Sequence, residues 1–168
     1  EAICHAVGYA HARNVIHRDL KPANVIVGAF GEVQVMDWGL AKVLANRENL
    51  ASRERERPEL AVATVETEIR TPDRVGETQA GTIIGTPSYM PPEQAAGEIN
   101  KIDQRSDVFS LGGILCSMLT GKPPYEGPST DAIRIAAVRG DLEAAFARLD
   151  ASAAEPELIA LAKRCLSF

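Results

Sequence analysis

Between Asp107 and Leu119 runs a segment, DVFSLGGILCSML, that is apolar on nearly every side of a helix. A helix of that kind cannot lie on a surface with one face in water; it needs neighbours all round. Its longest apolar run, Leu111 to Leu119, is interrupted by Ser117. That is far short of the roughly 20 apolar residues a bilayer-spanning helix needs. The chain is therefore expected to wrap its other elements around this buried central helix. Its 168 residues suffice for one domain, which at this size buries about 70% of its unfolded surface.

The wrapping elements are read from periodicity. Ile3, Val7 and Ala10 recur at i, i+4 and i+7, which predicts an amphipathic helix over 1–12. Asn14 to His17 is a short strand that ends in a polar loop. Val25-Ile26-Val27 and Val33-Gln34-Val35-Met36 are β-branched runs joined by a turn around Gly28 and Gly31, a hairpin signal. Gly121-Lys122-Pro123-Pro124-Tyr125 is a loop. Two helical stretches remain, roughly Thr130 to Arg139 and Glu157 to Leu166. The predicted class is α+β, mainly helical with one small hairpin. The first helical pattern opens without a capping residue and the last is still running near Phe168, so both ends are expected to be cuts through something larger.

Residues 46–80 differ in character. Fourteen of these 35 residues are charged, six Arg against eight acids, and Arg53-Glu54-Arg55-Glu56-Arg57 alternates in sign. So few large apolar groups cannot offset the entropy of ordering, and a long disordered loop is expected. A short charged helix is the alternative.

Overall composition, 45% hydrophobic and 24% charged, is that of an ordinary globular domain. A net charge of −5 supplies no basic face and argues against nucleic acid as a partner. Cys4, Cys116 and Cys165 are odd in number and widely spaced, forming neither a metal-type pair nor a disulfide framework. A reducing compartment, and hence a cytoplasmic location, is expected. The N-terminal residues lack the basic leader and apolar core of a secretory signal.

The residues that carry chemistry are His17-Arg18-Asp19-Leu20-Lys21-Pro22-Ala23-Asn24, followed eighteen positions after Asp19 by Asp37-Trp38-Gly39. Either acid alone would pass for a turn residue after a strand. Seven residues at fixed spacing have a joint chance of about one in 10⁹ per start position. This pattern resembles the catalytic loop, H-R-D-L-x-x-x-N, and the metal-binding D-F-G turn of protein kinases. The resemblance covers nearly all of the chain but only the C-terminal lobe of such a domain. It implies a eukaryotic-like serine/threonine kinase of bacterial type, using ATP and Mg²⁺.

Phosphoryl transfer needs positioning and charge neutralisation more than covalent chemistry. The resemblance accordingly makes Asp19 the catalytic base and places the positive charge of Lys21 beside the moving phosphate. It makes Asn24 and Asp37 the oxygen ligands of Mg²⁺. Lys two residues after the Asp is the family's serine/threonine pattern. His17 is expected to pack and hydrogen-bond to shape the loop, with Gly39 structural in the metal turn. Arg18 marks control by activation-loop phosphorylation, its planar guanidinium pairing with a phosphate. Thr64, Thr67, Thr71, Thr78 and Thr82 are candidate phosphosites, with Thr78 and Thr82 favoured because they adjoin the ordered region.

Two departures stand out. Trp38 replaces the usual Phe and brings an N–H that needs a partner. Asp37 to Glu93 spans 56 positions, longer than the family norm, and the excess is the charged 46–80 segment, read as an activation-loop insert.

Downstream, Gly85-Thr86-Pro87-Ser88-Tyr89-Met90-Pro91-Pro92-Glu93 resembles the family's G-T-x-x-Y-M-A-P-E segment, with Pro91 for Ala. The following Gln94-Ala95 also resembles bacterial members. Thr86 is expected to bond near Asp19 and Lys21 and to shape the substrate site. Asp107 is expected to be structural, accepting backbone N–H bonds from the catalytic loop, since a buried carboxylate needs such partners. In the family, Glu93 pairs with an Arg that follows the last helical stretch. Arg164 comes too early for that and is read as a surface residue, so Glu93 is expected to be buried without its Arg.

No G-x-G-x-x-G loop, phosphate-holding strand Lys or helix Glu precedes the catalytic loop in this chain. The missing N-terminal lobe is thus an implied partner, and the isolated chain is expected to be inactive. Protein substrates complete the list of partners. Membrane association is expected only through flanking segments. Two other readings stay open: a non-catalytic pseudokinase-like interaction module, and a small-molecule phosphotransferase.

Overall fold

The computed structural model describes residues 1–44 and 86–167. The expected insert at 46–80, the candidate phosphosites Thr64, Thr67, Thr71, Thr78 and Thr82, and Gly85 lie outside the described residues.

Helix α1 (Ala2–His11) buries Val7 and Ala10, two of the three residues that set its period. The chain then enters β1 (Val15–Ile16), with Ile16 fully buried. β2 (Val25–Val27) and β3 (Val33–Val35) form the predicted antiparallel hairpin, in the register Val25↔Val35, Ile26↔Gln34, Val27↔Val33. Alternation decides its two faces. Val25 and Val35 pack inward beside Val7 and Leu20, while Ile26 and Met36 remain about half exposed on the outer face.

One hairpin does not account for all of the strand structure. β4 (Lys42–Val43) returns to pair with β1, Val15↔Val43 and Ile16↔Lys42. A two-residue strand has no period of its own and exists through its partner, which is why the sequence reading missed it. Its effect is to fasten the segment after Asp37 to the strand that leads into the loop carrying Asp19.

The helical half comprises α2 (Pro92–Ala95), α3 (Gln104–Thr120), α4 (Thr130–Arg139), α5 (Glu143–Asp150) and α6 (Pro156–Cys165). Helix α3 is the expected central element. Its Asp103 N-cap accepts from the Arg105 backbone N–H, and Gly121 ends it in the left-handed region at φ 73°. Ile114 belongs to one apolar cluster, with Val7 and Leu20, and Phe109 and Cys116 to another, with Tyr125 and Leu149. The helix is not enclosed on every side, because Met118 near its C-terminus is 77% exposed. Gly112 is required by close packing: a Cβ there would lie 2.6 Å from the Cys165 Cβ of α6.

The expectation of two remaining helices is also corrected, since α5 is a third. Leu142, Ala145 and Leu149 lie in the core at 5%, 0% and 0% exposure. Leu142, Ala145, Phe146 and Leu149 recur at i, i+3, i+4 and i+7, a helical period that the sequence carries and that the expectation of two helices overlooks. Among the described residues no helix is long and apolar enough to cross a membrane.

Candidate active site

The loop between β1 and β2 is held from beneath by α3. Asp107, 1% exposed, accepts the backbone N–H of His17 at 2.8 Å and of Arg18 at 2.9 Å. Its Oδ2 also lies 2.7 Å from His11 Nε2, on α1. Asp107 is thus a buried carboxylate that meets three polar partners, two of them backbone N–H groups of the loop. His11 was missed in the sequence, where a lone histidine on a helix belongs to no motif.

His17 is fully buried. Its Nε2 lies 3.0 Å from the Met36 carbonyl, and its Nδ1 lies 3.3 Å from the Asp19 backbone N–H. A carbonyl can only accept and an N–H only donate, so the partners assign the neutral Nε2–H tautomer. The ring is committed to joining the two loops and has no nitrogen free for proton transfer.

Arg18 adopts φ 69°, in the left-handed region that a non-glycine residue rarely enters. Its Nε donates to the Leu40 carbonyl, which ties it to the turn after Asp37. Burial lowers its pKa and the nearby Asp107 charge opposes that shift. An arginine keeps its charge in either case.

Asp19 stands at the centre, 9% exposed. Lys21 Nζ reaches its Oδ2 at 2.7 Å, and the Thr86 backbone N–H reaches its Oδ1 at 3.3 Å. Lys21 also donates to Thr86 Oγ1 at 2.9 Å, so the segment beginning at residue 86 is bound to the loop by a charged hydrogen bond. Asn24 donates Nδ2 to the Asp19 carbonyl at 2.8 Å and to Oδ2 at 3.2 Å. Four residues named from the sequence, Asp19, Lys21, Asn24 and Thr86, are thus one bonded cluster.

The hairpin brings in the fifth. Met36 N–H donates to the Asn24 carbonyl at 2.8 Å, extending the β2–β3 ladder by one step. Asp37 follows at once, so it emerges beside Asn24 at the open end of the hairpin. Asp37 is exposed, left-handed at φ 59°, and its carboxylate bonds no other described residue. A Cβ on Gly39 would lie 3.3 Å from Asp37 Oδ1, so the glycine leaves that carboxylate room. Asn24 spends its amide nitrogen on Asp19, leaving its oxygen for another partner. A carboxylate that bonds no other described residue and an amide oxygen left for another partner are donor types suited to Mg²⁺, a hard cation that keeps several waters. Among the described residues no cluster of three or more His, Cys, Asp or Glu offers an alternative metal site.

Trp38 finds the partner its N–H needs, since Nε1 donates to the Val35 carbonyl at 2.9 Å. Its ring centroid lies 4.6 Å from that of His17. The larger aromatic therefore ties the Asp37–Gly39 turn to β3 and to His17.

Glu93 forms no ion pair with an arginine among the described residues, and is less buried than expected. It is half-buried, and it accepts from Ser106 Oγ at 2.6 Å. It lines a cavity of about 210 Å³ shared with Lys101, Asp103 and Arg105, away from Asp19. Its charge therefore has a hydrogen bond and neighbouring cations. Arg164 is exposed, as expected.

A family profile for the protein kinase domain matches residues 1–168. Serine/threonine-protein kinase PknB of Mycobacterium tuberculosis is 34% identical over 158 residues, covering 94% of this chain and 21% of that protein. PknB of Mycolicibacterium smegmatis is 38% identical over 138 residues, 82% of this chain and 18% of that protein. Serine/threonine-protein kinase PknD of Protochlamydia amoebophila is 40% identical over 132 residues, 79% of this chain and 12% of that protein. The chain thus spans about a fifth or less of the length of these curated relatives.

Proposed function

The chain belongs to the protein kinase family, among bacterial serine/threonine kinases, and on that premise we propose that it supplies the catalytic loop and metal turn for transfer of the ATP γ-phosphate to protein Ser or Thr hydroxyls. ATP and a divalent metal are general requirements of the family. Asp19 orients the acceptor hydroxyl and takes its proton as the oxygen bonds to the γ-phosphorus, while the bond from that phosphorus to the β–γ bridging oxygen breaks and ADP leaves with the electron pair. Lys21, held against Asp19 and Thr86, keeps a positive charge beside the transferring group. Mg²⁺ held by Asn24 and Asp37 would neutralise phosphate charge. Thr86 fixes the segment on which a peptide would lie. Ile26 and Met36, exposed on the hairpin face next to Asn24, give one apolar wall for the nucleotide base.

The observation that carries this reading is the Asp19 carboxylate bonded to Lys21, Asn24 and Thr86 at once. Nothing in a purely structural loop calls for Asp37, left unpaired among the described residues, to stand beside that cluster. The test is transfer of labelled γ-phosphate to a protein acceptor by the full-length protein. Transfer that is lost in Asp19→Asn supports the reading. A folded protein that phosphorylates no protein overturns it in favour of an interaction module, and transfer to small alcohols alone favours a small-molecule phosphotransferase.

A further inference from the structure

Gln94 takes no part in the cluster above, yet it reaches into the loop that carries it. It is 9% exposed on the short helix α2. Its Nε2 donates to the Arg18 carbonyl at 2.7 Å, across 76 positions of sequence. Because a carbonyl only accepts, the amide nitrogen must be the atom turned toward it.

That carbonyl belongs to the peptide group joining Arg18 to Asp19. The N–H of the same peptide, on Asp19, points to His17 Nδ1 at 3.3 Å. The Arg18 N–H on the preceding peptide is held by Asp107. Arg18 is thus pinned on both sides while in the left-handed region, at φ 69°. Such a conformation persists only when its surroundings over-determine it. Rotating the Arg18–Asp19 peptide would swing the Asp19 side chain away from Lys21 and Thr86. Among the described residues, Gln94 is the side chain that bonds this carbonyl.

A second observation shows that the bond carries a cost. Gln94 Oε1 is buried and has no partner among the described residues. Buried amide oxygens are seldom left so. Gln94 also lines a cavity of about 10 Å³ with Asp19, Thr86 and Ser110, a volume that suits a single water. An apolar residue would avoid the problem but could not hold Arg18.

We propose that Gln94 is a positioning residue for Asp19, fixing the Arg18–Asp19 peptide plane and coupling the seat of the peptide-docking segment to the catalytic loop. This rests on the kinase reading above. Gln94 touches no reacting atom; its effect runs through the backbone. Removing its N–H should lower kcat and leave KM alone, because small misplacements of a catalytic group reduce rate about tenfold to a hundredfold.

The experiment uses the full-length protein with casein as acceptor, comparing wild type with Gln94→Met and Gln94→Glu. Expected for Gln94→Met is a kcat at least about tenfold lower, with KM for ATP and casein and the melting temperature nearly unchanged. Gln94→Glu should lose kcat similarly at high pH. It should recover relative to wild type as pH falls and the new carboxyl gains a proton, since its O–H can again donate to Arg18. Hydrogen exchange at residues 18–20 should be faster in Gln94→Met. Wild-type kcat in both variants overturns the proposal, as does a change confined to KM or melting temperature, or a failure of both to fold. If wild type transfers no phosphate, the kinase reading fails, and unchanged exchange at 18–20 still decides against the role of Gln94.

Discussion

His11 Nε2 and Asp107 Oδ2 lie 2.7 Å apart although 96 positions separate them in sequence. Asp107 uses its remaining capacity on the backbone of His17 and Arg18, so α1, α3 and the catalytic loop meet at one carboxylate. Removing that carboxylate leaves two loop N–H groups and an imidazole without their acceptor. Asp107→Ala should destabilise the kinase domain by about 3–5 kcal/mol, the usual cost of breaking a buried charged contact on one side. His11→Ala should cost less, about 1–3 kcal/mol, because both backbone donors survive. Urea melts of the full-length protein, following the kinase-domain transition, check both. Equal losses in the two variants would show that the carboxylate depends on His11 entirely.

Asp37 and Asn24 are expected to fail differently. Asp37 is exposed and bonds no other described residue, so Asp37→Asn should leave the melting temperature unchanged within about 2 °C. If Asp37 is the proposed Mg²⁺ ligand, loss of its charge should still reduce Mg²⁺-dependent phosphate transfer by about a hundredfold or more. Asn24→Ala removes two bonds to Asp19 as well as a proposed metal ligand, and should lower both transfer and stability, the latter by about 1–3 kcal/mol. Melting curves beside Mg²⁺ titrations of activity separate the two behaviours. A large stability loss in Asp37→Asn would mean that its carboxylate has a structural partner.

Trp38→Phe tests the brace on the metal turn. Phenylalanine keeps a ring against His17 but loses the bond from Nε1 to the Val35 carbonyl. A single neutral hydrogen bond at a partly exposed site contributes about 0.5–1.5 kcal/mol, and the variant should be destabilised by that much. Its apparent requirement for Mg²⁺ should rise, since Asp37 precedes the loosened ring. An unchanged melt and an unchanged Mg²⁺ titration together would show that the turn is held by its backbone alone.

How far these features were legible varies with what determines them. His17 to Asn24 and Asp37 to Gly39 could be read because the chemistry demands particular residue types at fixed spacing. The β2–β3 hairpin could be read because Val25 and Val35 alternate with Ile26 and Gln34 across a half-buried sheet. His11 and Gln94 could not, because each acts through a partner that only the fold brings near. β4 has no local signal, and Lys42 and Val43 are a strand only by pairing with Ile16 and Val15. Helix α5 was legible, since Leu142 at its N-cap, Ala145, Phe146 and Leu149 recur at helical spacing, and the two-helix reading passed over it. Glu93 was expected to be buried without the family's arginine; among the described residues it has no such ion pair, but it is only half-buried and accepts from Ser106, thirteen positions on, a bond with no sequence signal.

Asp103 gives a pH-dependent prediction of a different kind. Its side chain accepts from the Arg105 backbone N–H at 2.8 Å, capping α3, and meets the Arg105 guanidinium through both oxygens. Arg105 holds the Asp103 carboxyl below its usual pKa, against a smaller opposing effect of burial. A carboxyl with a depressed folded-state pKa stabilises the fold above its unfolded value, near 3.9. The contribution disappears as pH falls through the lower folded value. Asp103 is 41% exposed, so solvent screens the ion pair and most of the expected effect belongs to the cap. Asp103→Ala should therefore be less stable than wild type by about 0.5–2 kcal/mol at any pH above about 5. The gap should narrow below about pH 4, as wild type protonates the same group. Asp103→Ser, which keeps a capping oxygen without charge, should recover most of the loss at neutral pH and show little narrowing. Urea melts of the three proteins across pH 3 to 7 measure this, at the acid end only where the domain still folds cooperatively. A gap between wild type and Asp103→Ala that is independent of pH would show that the cap works equally well protonated, and that the charge contributes nothing.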